Sequence, residues 1–345
     1  MKKENKHIFR SPKSLENLDL KINNESNGEV IDGMFYNKNG EKYIIKDGII
    51  DFTVKEEIKG IAKIARDQYK IQSKTYDKNV DITFELYNEK SDDTRNFMVN
   101  LLNLSPENDV LEISSGTGLD SEIIISQLSE EGSFTSIDIS PEMVKIAYNR
   151  LKNSKINKNI TVGNACSLPF NDNSFDALYC FSGIGHFPDI KKGLKEMSRV
   201  VKKGGKVVFC EKNVPPWLKN TTYGKILINH NKMFNLNNPL ELIPIEARNV
   251  GIRWILGNVH YVVDYDVGEG EPKGNFDLEI PGKRGGTFNT RYYGKIEGVT
   301  KETKKLVQDA IEASSSSAHK WIDETLKKEA NKLLDNINAK NYNNR

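Results

Sequence analysis

Between residues 109 and 210 the hydrophobic pattern switches back and forth between two periods, and few architectures accept such an alternation. Five short apolar runs, at 109–113, 133–137, 160–163, 177–181 and 206–210, read as strands. Segments 121–128, 141–152 and 190–201 carry apolar residues at helical spacing between them. Short apolar strands separated by amphipathic helices form a parallel sheet with right-handed crossovers and helices on its faces. The fold class is therefore α/β, a doubly wound sheet. Ligands of such sheets sit at the C-terminal strand ends, near the point where strand order reverses.

The flanks behave differently. Residues 1–55 are a small, polar β segment with turns at Asn23-Asn24, Asn27-Gly28 and 37–40, and two short strands within 42–52. A helix over 55–72 is marked by Ile58, Ile61, Ala62 and Ala65. Another, over 92–104, carries Phe97, Leu101 and Leu102. Residues 214–300 are irregular. A helix is expected at 239–249, one or two strands at 254–263, and a long connection at 268–298. Two amphipathic helices follow in 300–337, one with Leu306, Val307, Ala310 and Ile311 on a face, the other with Trp321, Ile322, Leu326, Ala330 and Leu333. The expected division is 1–55, 56–265, a C-terminal helical extension over 266–337, and a disordered tail at 338–345.

Composition narrows the class. Fifty Lys and Arg against 48 Asp and Glu leave a net charge of +2, so no general affinity for polyanions is expected. No apolar run approaches the roughly 20 residues of a membrane span, and no apolar stretch follows the basic N-terminus, so neither a membrane nor a secretory signal is expected. Cys166, Cys180 and Cys210 are odd in number and widely spaced. They build neither a disulfide framework nor a CxxC knuckle, and the expected compartment is the cytoplasm.

The chemistry concentrates after the first strand of the alternating region. In Val110-Leu-Glu-Ile-Ser-Ser-Gly-Thr-Gly118 a strand ends at an acid, Glu112, and small residues lead into a helix. Gly116 and Gly118 permit a tight turn and close approach of a ligand. The next strand ends in Asp138, placed to accept two ribose hydroxyls. A dinucleotide loop also has a distant acid, but it wants glycine where this chain has Ser121, and Glu112 would repel a pyrophosphate while attracting a cationic headgroup.

The series VLEISSGTG, SIDISPEMVKIA, GNACSLPFNDNSFDALYC and LKEMSRVVKKGGKVVF resembles the class I S-adenosylmethionine-dependent methyltransferases, in particular the small-molecule branch that includes ubiquinone and menaquinone biosynthesis enzymes. The resemblance runs from about residue 67 to 265 and implies a Rossmann-like fold. It implies that Glu112, Ser114, Ser115, Gly116 and Gly118 hold the methionine part of the cofactor. Asp138 would bind the ribose, with Ile139 and Met143 against the adenine, Asn164 and Ala165 at its edge, and Phe181 beneath the methyl group. Tyr69 and Tyr76 resemble the family's lid. Two departures stand out: Ser114 replaces the usual first glycine of the loop, and Asn164 replaces the usual acid.

Methyl transfer from a sulfonium is an in-line displacement that depends mainly on alignment, worth about 7–11 kcal/mol. A base is needed only for a protonated acceptor; His186 and the pair Glu211-Lys212 after Cys210 are the candidates. Tyr223, His230, His260, Arg291, Tyr292 and Tyr293 lie in the variable region and receive no role. The start, Phe9-Arg-Ser-Pro-Lys-Ser14 with 43–50, resembles a zinc ribbon whose paired cysteines are replaced by Ser11 and Ser14, so no metal is expected there. The C-terminal helices faintly resemble a ribbon-helix-helix arrangement, but their mixed charge suits a homodimer contact or lid and not DNA. The expected activity is methylation of a small-molecule acceptor. RNA methylation and a non-catalytic, cofactor-binding scaffold are the alternatives.

Overall fold

The computed structural model describes residues 1–293 and 299–343. Eleven strands form one sheet: β1 (Asp19–Ser26), β2 (Glu29–Tyr36), β3 (Lys42–Lys46), β4 (Ile49–Asp51), β5 (Asp109–Ile113), β6 (Ser133–Asp138), β7 (Asn157–Val162), β8 (Phe175–Phe181), β9 (Val201–Lys212), β10 (Ala247–Ile255) and β11 (His260–Val267). Their order is β1-β2-β3-β4-β7-β6-β5-β8-β9-β11-β10. Strands β4 to β9 pair in parallel, while β11 runs antiparallel to β9 and β10. The order reverses at β5, between β6 and β8.

The helices are α1 (Gly60–Gln72), α2 (Tyr76–Asn79), α3 (Ile82–Glu85), α4 (Ser91–Asn100), α5 (Leu119–Ser126), α6 (Pro141–Leu151), α7 (Ile190–Val200), α8 (Thr222–His230), α9 (Phe288–Tyr293), α10 (Lys301–Ala313) and α11 (Ala318–Asn343). Local chemistry starts them. Ser140 caps α6 ahead of Pro141, and Asp189 caps α7. Both sheet faces are covered: along β8, Leu178 and Cys180 join one apolar cluster, Ala177 and Tyr179 the other.

The N-terminal β segment is not a separate body. Ile49, Ile50 and Asp51 of β4 pair in parallel with Ile160, Thr161 and Val162 of β7, extending the central sheet. Phe9 lies 5.4 Å from Phe52 and 5.7 Å from Phe170, ring centroid to ring centroid, in a shared core. Residues Met1–Glu271 accordingly form one compact unit.

The helix expected over 239–249 is absent. Pro244 interrupts it, only a single 3-10 turn at Leu240–Leu242 forms, and Ala247–Ile255 instead pairs with β11. The second unit, Pro272–Arg345, contains α9, α10 and α11. Its last helix continues to Asn343, beyond the boundary expected at 337, because no breaker interrupts the sequence there; Asn344 and Arg345 lie outside the described residues.

Candidate active site

The parallel register aligns the ends of several strands. Ile113 is paired with Ile137 and with Cys180, Asp138 with Val162, Phe181 with Cys210, and Lys212 with His260. The loop after β5 then turns through left-handed backbone at Ser114 (φ 58°), Gly116 (φ 54°) and Gly118 (φ 84°). Gly116 donates its N–H to Asp138 Oδ2 at 2.9 Å, and Ser140 donates to Oδ1 at 2.9 Å, so Asp138 ties the loop to the start of α6. Burial raises the Asp138 pKa, and the N–H groups of Ser140, Gly116 and Ile139 pull it back.

A cavity opens along this edge. It is lined beyond β7 by Asn164 and Ala165, after β6 by Asp138, Ile139 and Met143, and after β5 by Ser114 and Gly116. Phe181 and Ser182 follow from β8, then Lys212 from β9 and His260 from β11. At roughly 4.8 Å per strand this row spans roughly 24 Å. Tyr69 of α1, Tyr76 of α2 and Phe84 of α3 line the remaining side. Burial, the largest cause, raises the pKa of both tyrosines, so both phenols stay protonated.

Four expected site residues are not in the lining. Glu112 is buried and accepts from Ser121 Oγ in the first turn of α5; burial, with Asp120 nearby, raises its pKa well above the ordinary carboxylate range. Ser115 is buried, its Oγ without a partner. Gly118 packs against Ala147, where a Cβ would come within 3.2 Å of that side chain. Glu211 accepts from the Gly185 N–H at 2.8 Å and from the Lys212 N–H at 2.8 Å, so it holds the 3-10 turn Ile184–His186. That turn presents His186 to the cavity, with its ring 5.7 Å from Tyr69. Burial lowers the His186 pKa, opposed by Glu211 and reinforced by Lys212. Asn164 lines the cavity but is already engaged: its amide donates to Glu57 at 3.0 Å and its oxygen accepts from Cys166 N–H at 3.0 Å. One lone pair of that oxygen remains.

Sequence reasoning singled out the pair Glu211-Lys212, of which Lys212 is the one in the cavity lining, but it missed Arg95, Ser182 and the placement of His260. Arg95 comes from α4, pairs with buried Asp120, and lies 5.3 Å from the ring centroids of both Phe84 and Phe181. Asp120, two residues past the glycine loop, was its only sequence signal. Of the six residues left without a role, His260 lines the cavity, while Tyr223 bonds the Gly257 carbonyl at 2.9 Å; the Tyr293 side chain lies outside the described residues. At the N-terminus Ser11 Oγ contacts Tyr43 Oη at 2.9 Å, and Ser14 Oγ donates to Glu41 at 2.7 Å. Hydroxyls and one carboxylate are not a zinc donor set, so the residues present do not fit that metal.

The cavity residues do fit an adenosyl amino acid cofactor. A Cβ built on Gly116 would meet no atom within 4 Å, leaving room for a ligand against the backbone, and Ser182 Oγ is buried without a partner. Residues 111–209 match the family described as methyltransferase domain. The chain is 39% identical over 123 residues to the ubiquinone/menaquinone biosynthesis C-methyltransferase UbiE of Geobacter sp. (strain M21), covering 35% of this chain and 52% of that one. It is 32% identical over 150 residues to the demethylmenaquinone methyltransferase of Listeria welshimeri, covering 42% and 62%. The chain thus spans between half and two thirds of the length of these relatives. A solved structure of a SAM-dependent methyltransferase from Aquifex aeolicus aligns at 17% identity and a TM-score of 0.38, over 50% of this chain and 89% of that one. Residues 111–209, which match a methyltransferase domain, thus lie on a doubly wound parallel sheet whose strand order reverses at the cavity.

Proposed function

We propose that the protein methylates a small-molecule acceptor using S-adenosylmethionine. The observation that carries this reading is the single cavity running from Asp138 to Lys212 and His260 along the strand ends. Asp138 would accept the ribose hydroxyls, since each of its oxygens keeps a lone pair after the backbone N–H bonds. Ile139 and Met143 would flank the adenine, and Asn164 and Ala165 would meet its edge. When bound, the cofactor supplies an electrophilic methyl group on a sulfonium.

The chain's residues then orient and desolvate. Phe84 and Phe181 form an apolar wall, and Tyr69 and Tyr76 close the cavity against water. His186, kept neutral by burial, can accept a proton from an acceptor hydroxyl. Glu211 acts through the turn it holds. The quinone-directed names of the relatives suggest a ring carbon as the methylated atom. Three free cysteines suit a reducing cytoplasm. A homodimer through the C-terminal helices is supported by exposed Leu326, Leu333, Leu334 and Ile337.

Calorimetric titration with S-adenosylmethionine and S-adenosylhomocysteine, beside Asp138→Ala, tests the reading. Wild-type binding weakened roughly 10- to 100-fold by the substitution is expected, the equivalent of about 1.5–3 kcal/mol of hydrogen bonding to a charged group. A folded wild-type protein that binds neither compound sinks it. Binding of the cofactor with no turnover across a broad acceptor panel would favour the scaffold reading, and salt-dependent RNA affinity the RNA one.

A further inference from the structure

The acceptor end of the cavity carries an ammonium that makes no hydrogen bond among the described residues. Lys212 and Arg95 are the Lys and Arg residues in its lining, and Asp138 is the acid. Arg95 is spent on Asp120, and Asp138 lies at the far end, after β6. Lys212 forms an ion pair with buried Glu211, but its Nζ stands 3.8 Å from Glu211 Oε1, too far for a hydrogen bond, so the N–H donors of the ammonium stay open toward the cavity. The Glu211 carboxylate is meanwhile occupied by the N–H groups of Gly185 and of Lys212 itself. Directly across the strand pair sits His260, buried, with Nδ1 unpartnered. His260 and His186 are both held neutral, chiefly by burial, and Lys212 adds to the effect. The groups facing the ammonium are therefore Glu211 on β9, His260 on β11 and His186 on the turn after β8.

We propose that Lys212 selects the acceptor, holding an ionisable oxygen of the substrate (phenol, enol or carboxylic acid) as its anion. The inference rests on the methyltransferase reading above. An ammonium beside two neutral imidazoles, in a cavity that also receives a sulfonium, repels amine acceptors and lowers the pKa of an acidic hydroxyl. The acceptor then loses its proton to solvent before transfer. For transfer to that oxygen, its electron pair forms the bond to the methyl carbon. For transfer to a ring carbon, the electrons delocalised from the anion form the C–C bond, and the ring proton then leaves to solvent. In both, the C–S pair returns to sulfur, leaving a neutral thioether. Base catalysis by His186 becomes unnecessary for such an acceptor. His260 pairs with Lys212 across β9 and β11, and its unpartnered nitrogen offers a second contact to the same oxygen.

The test uses 4-nitrophenol, whose phenolate absorbs visible light, with the full chain saturated with S-adenosylhomocysteine. Bound 4-nitrophenol is expected to ionise at lower pH than free 4-nitrophenol. Lys212→Met should weaken its binding about tenfold and abolish that shift, Lys212→Arg should retain both, and benzylamine should not bind. Calorimetry of S-adenosylhomocysteine should be the same in all three proteins, showing that they are folded. The inference is overturned by nitrophenol that binds Lys212→Met as it binds wild type, by nitrophenol that titrates as if free, by nitrophenol that does not bind, or by benzylamine binding equally well. Failure of S-adenosylhomocysteine to bind wild type overturns the methyltransferase reading and this inference together; with that binding intact, failure at nitrophenol overturns only the inference.

Discussion

At the scale of single residues the site is crowded where its loops meet. Ser114, in the place of a glycine and at φ 58°, stores strain of roughly 1–2 kcal/mol that glycine would not. Its hydroxyl also sets the identity of Gly183, since a Cβ there would lie 2.1 Å from Ser114 Oγ. Gly183→Ala should destabilise the protein by roughly 1–3 kcal/mol, and Ser114→Gly should restore most of the loss. Thermal melts of the two single variants and the double variant decide this, and simple additivity would show that the residues do not clash. Asp138 adds a pH dependence. Its pKa is raised in the free protein, and ribose hydroxyls bond best to the ionised form. The affinity for S-adenosylhomocysteine should therefore hold at higher pH and fall as pH drops through that raised value, earlier than an ordinary aspartate would allow. Calorimetry between mildly alkaline and mildly acidic buffers reads the curve, which Asp138→Asn should flatten.

At the scale of elements, a polar latch ties α2 to the glycine loop and to α6. Asp77 on α2 accepts from Thr117 Oγ1 at 2.6 Å and from Arg150 at 2.5 Å, and Arg150 also bonds the Thr117 carbonyl at 2.9 Å. The latch thus closes directly on the glycine loop. Because Asp77 is partly exposed, its ion pair alone is worth little. Its effect should appear in kinetics. Asp77→Ala should speed dissociation of S-adenosylhomocysteine about tenfold in stopped-flow experiments while shifting the melting temperature by only a few degrees. An unchanged dissociation rate would mean that α1 to α3 do not gate the cavity.

At the scale of the whole molecule, the N-terminal strands belong to the main sheet. Deleting residues 1–55 would expose β7 as an edge and open the aromatic cluster of Phe9, Phe35, Phe52 and Phe170. The truncated chain should aggregate on expression, whereas removal of 272–345, a separate compact unit, should leave a folded protein that binds S-adenosylhomocysteine. Solubility and calorimetry of the two truncations distinguish them. The five strands and three helices of the alternating region were legible in the chain because period and turn chemistry are local properties: Pro141 after Ser140, Gly118 before α5 and Asp189 before α7 are readable in place. So was Asp138 as the acid at a strand end. What came only from the tertiary structure is pairing between distant segments. The joining of β4 to β7 spans about a hundred residues of chain, and the strand over 247–255 forms because β11 supplies its hydrogen bonds. Lys212 and His260 are separated by a stretch with no readable period, yet antiparallel register sets them side by side at the cavity. Local sequence determines which elements form and which ends they present; which charges face each other across the site depends on register, and register is set by the burial of whole strand faces.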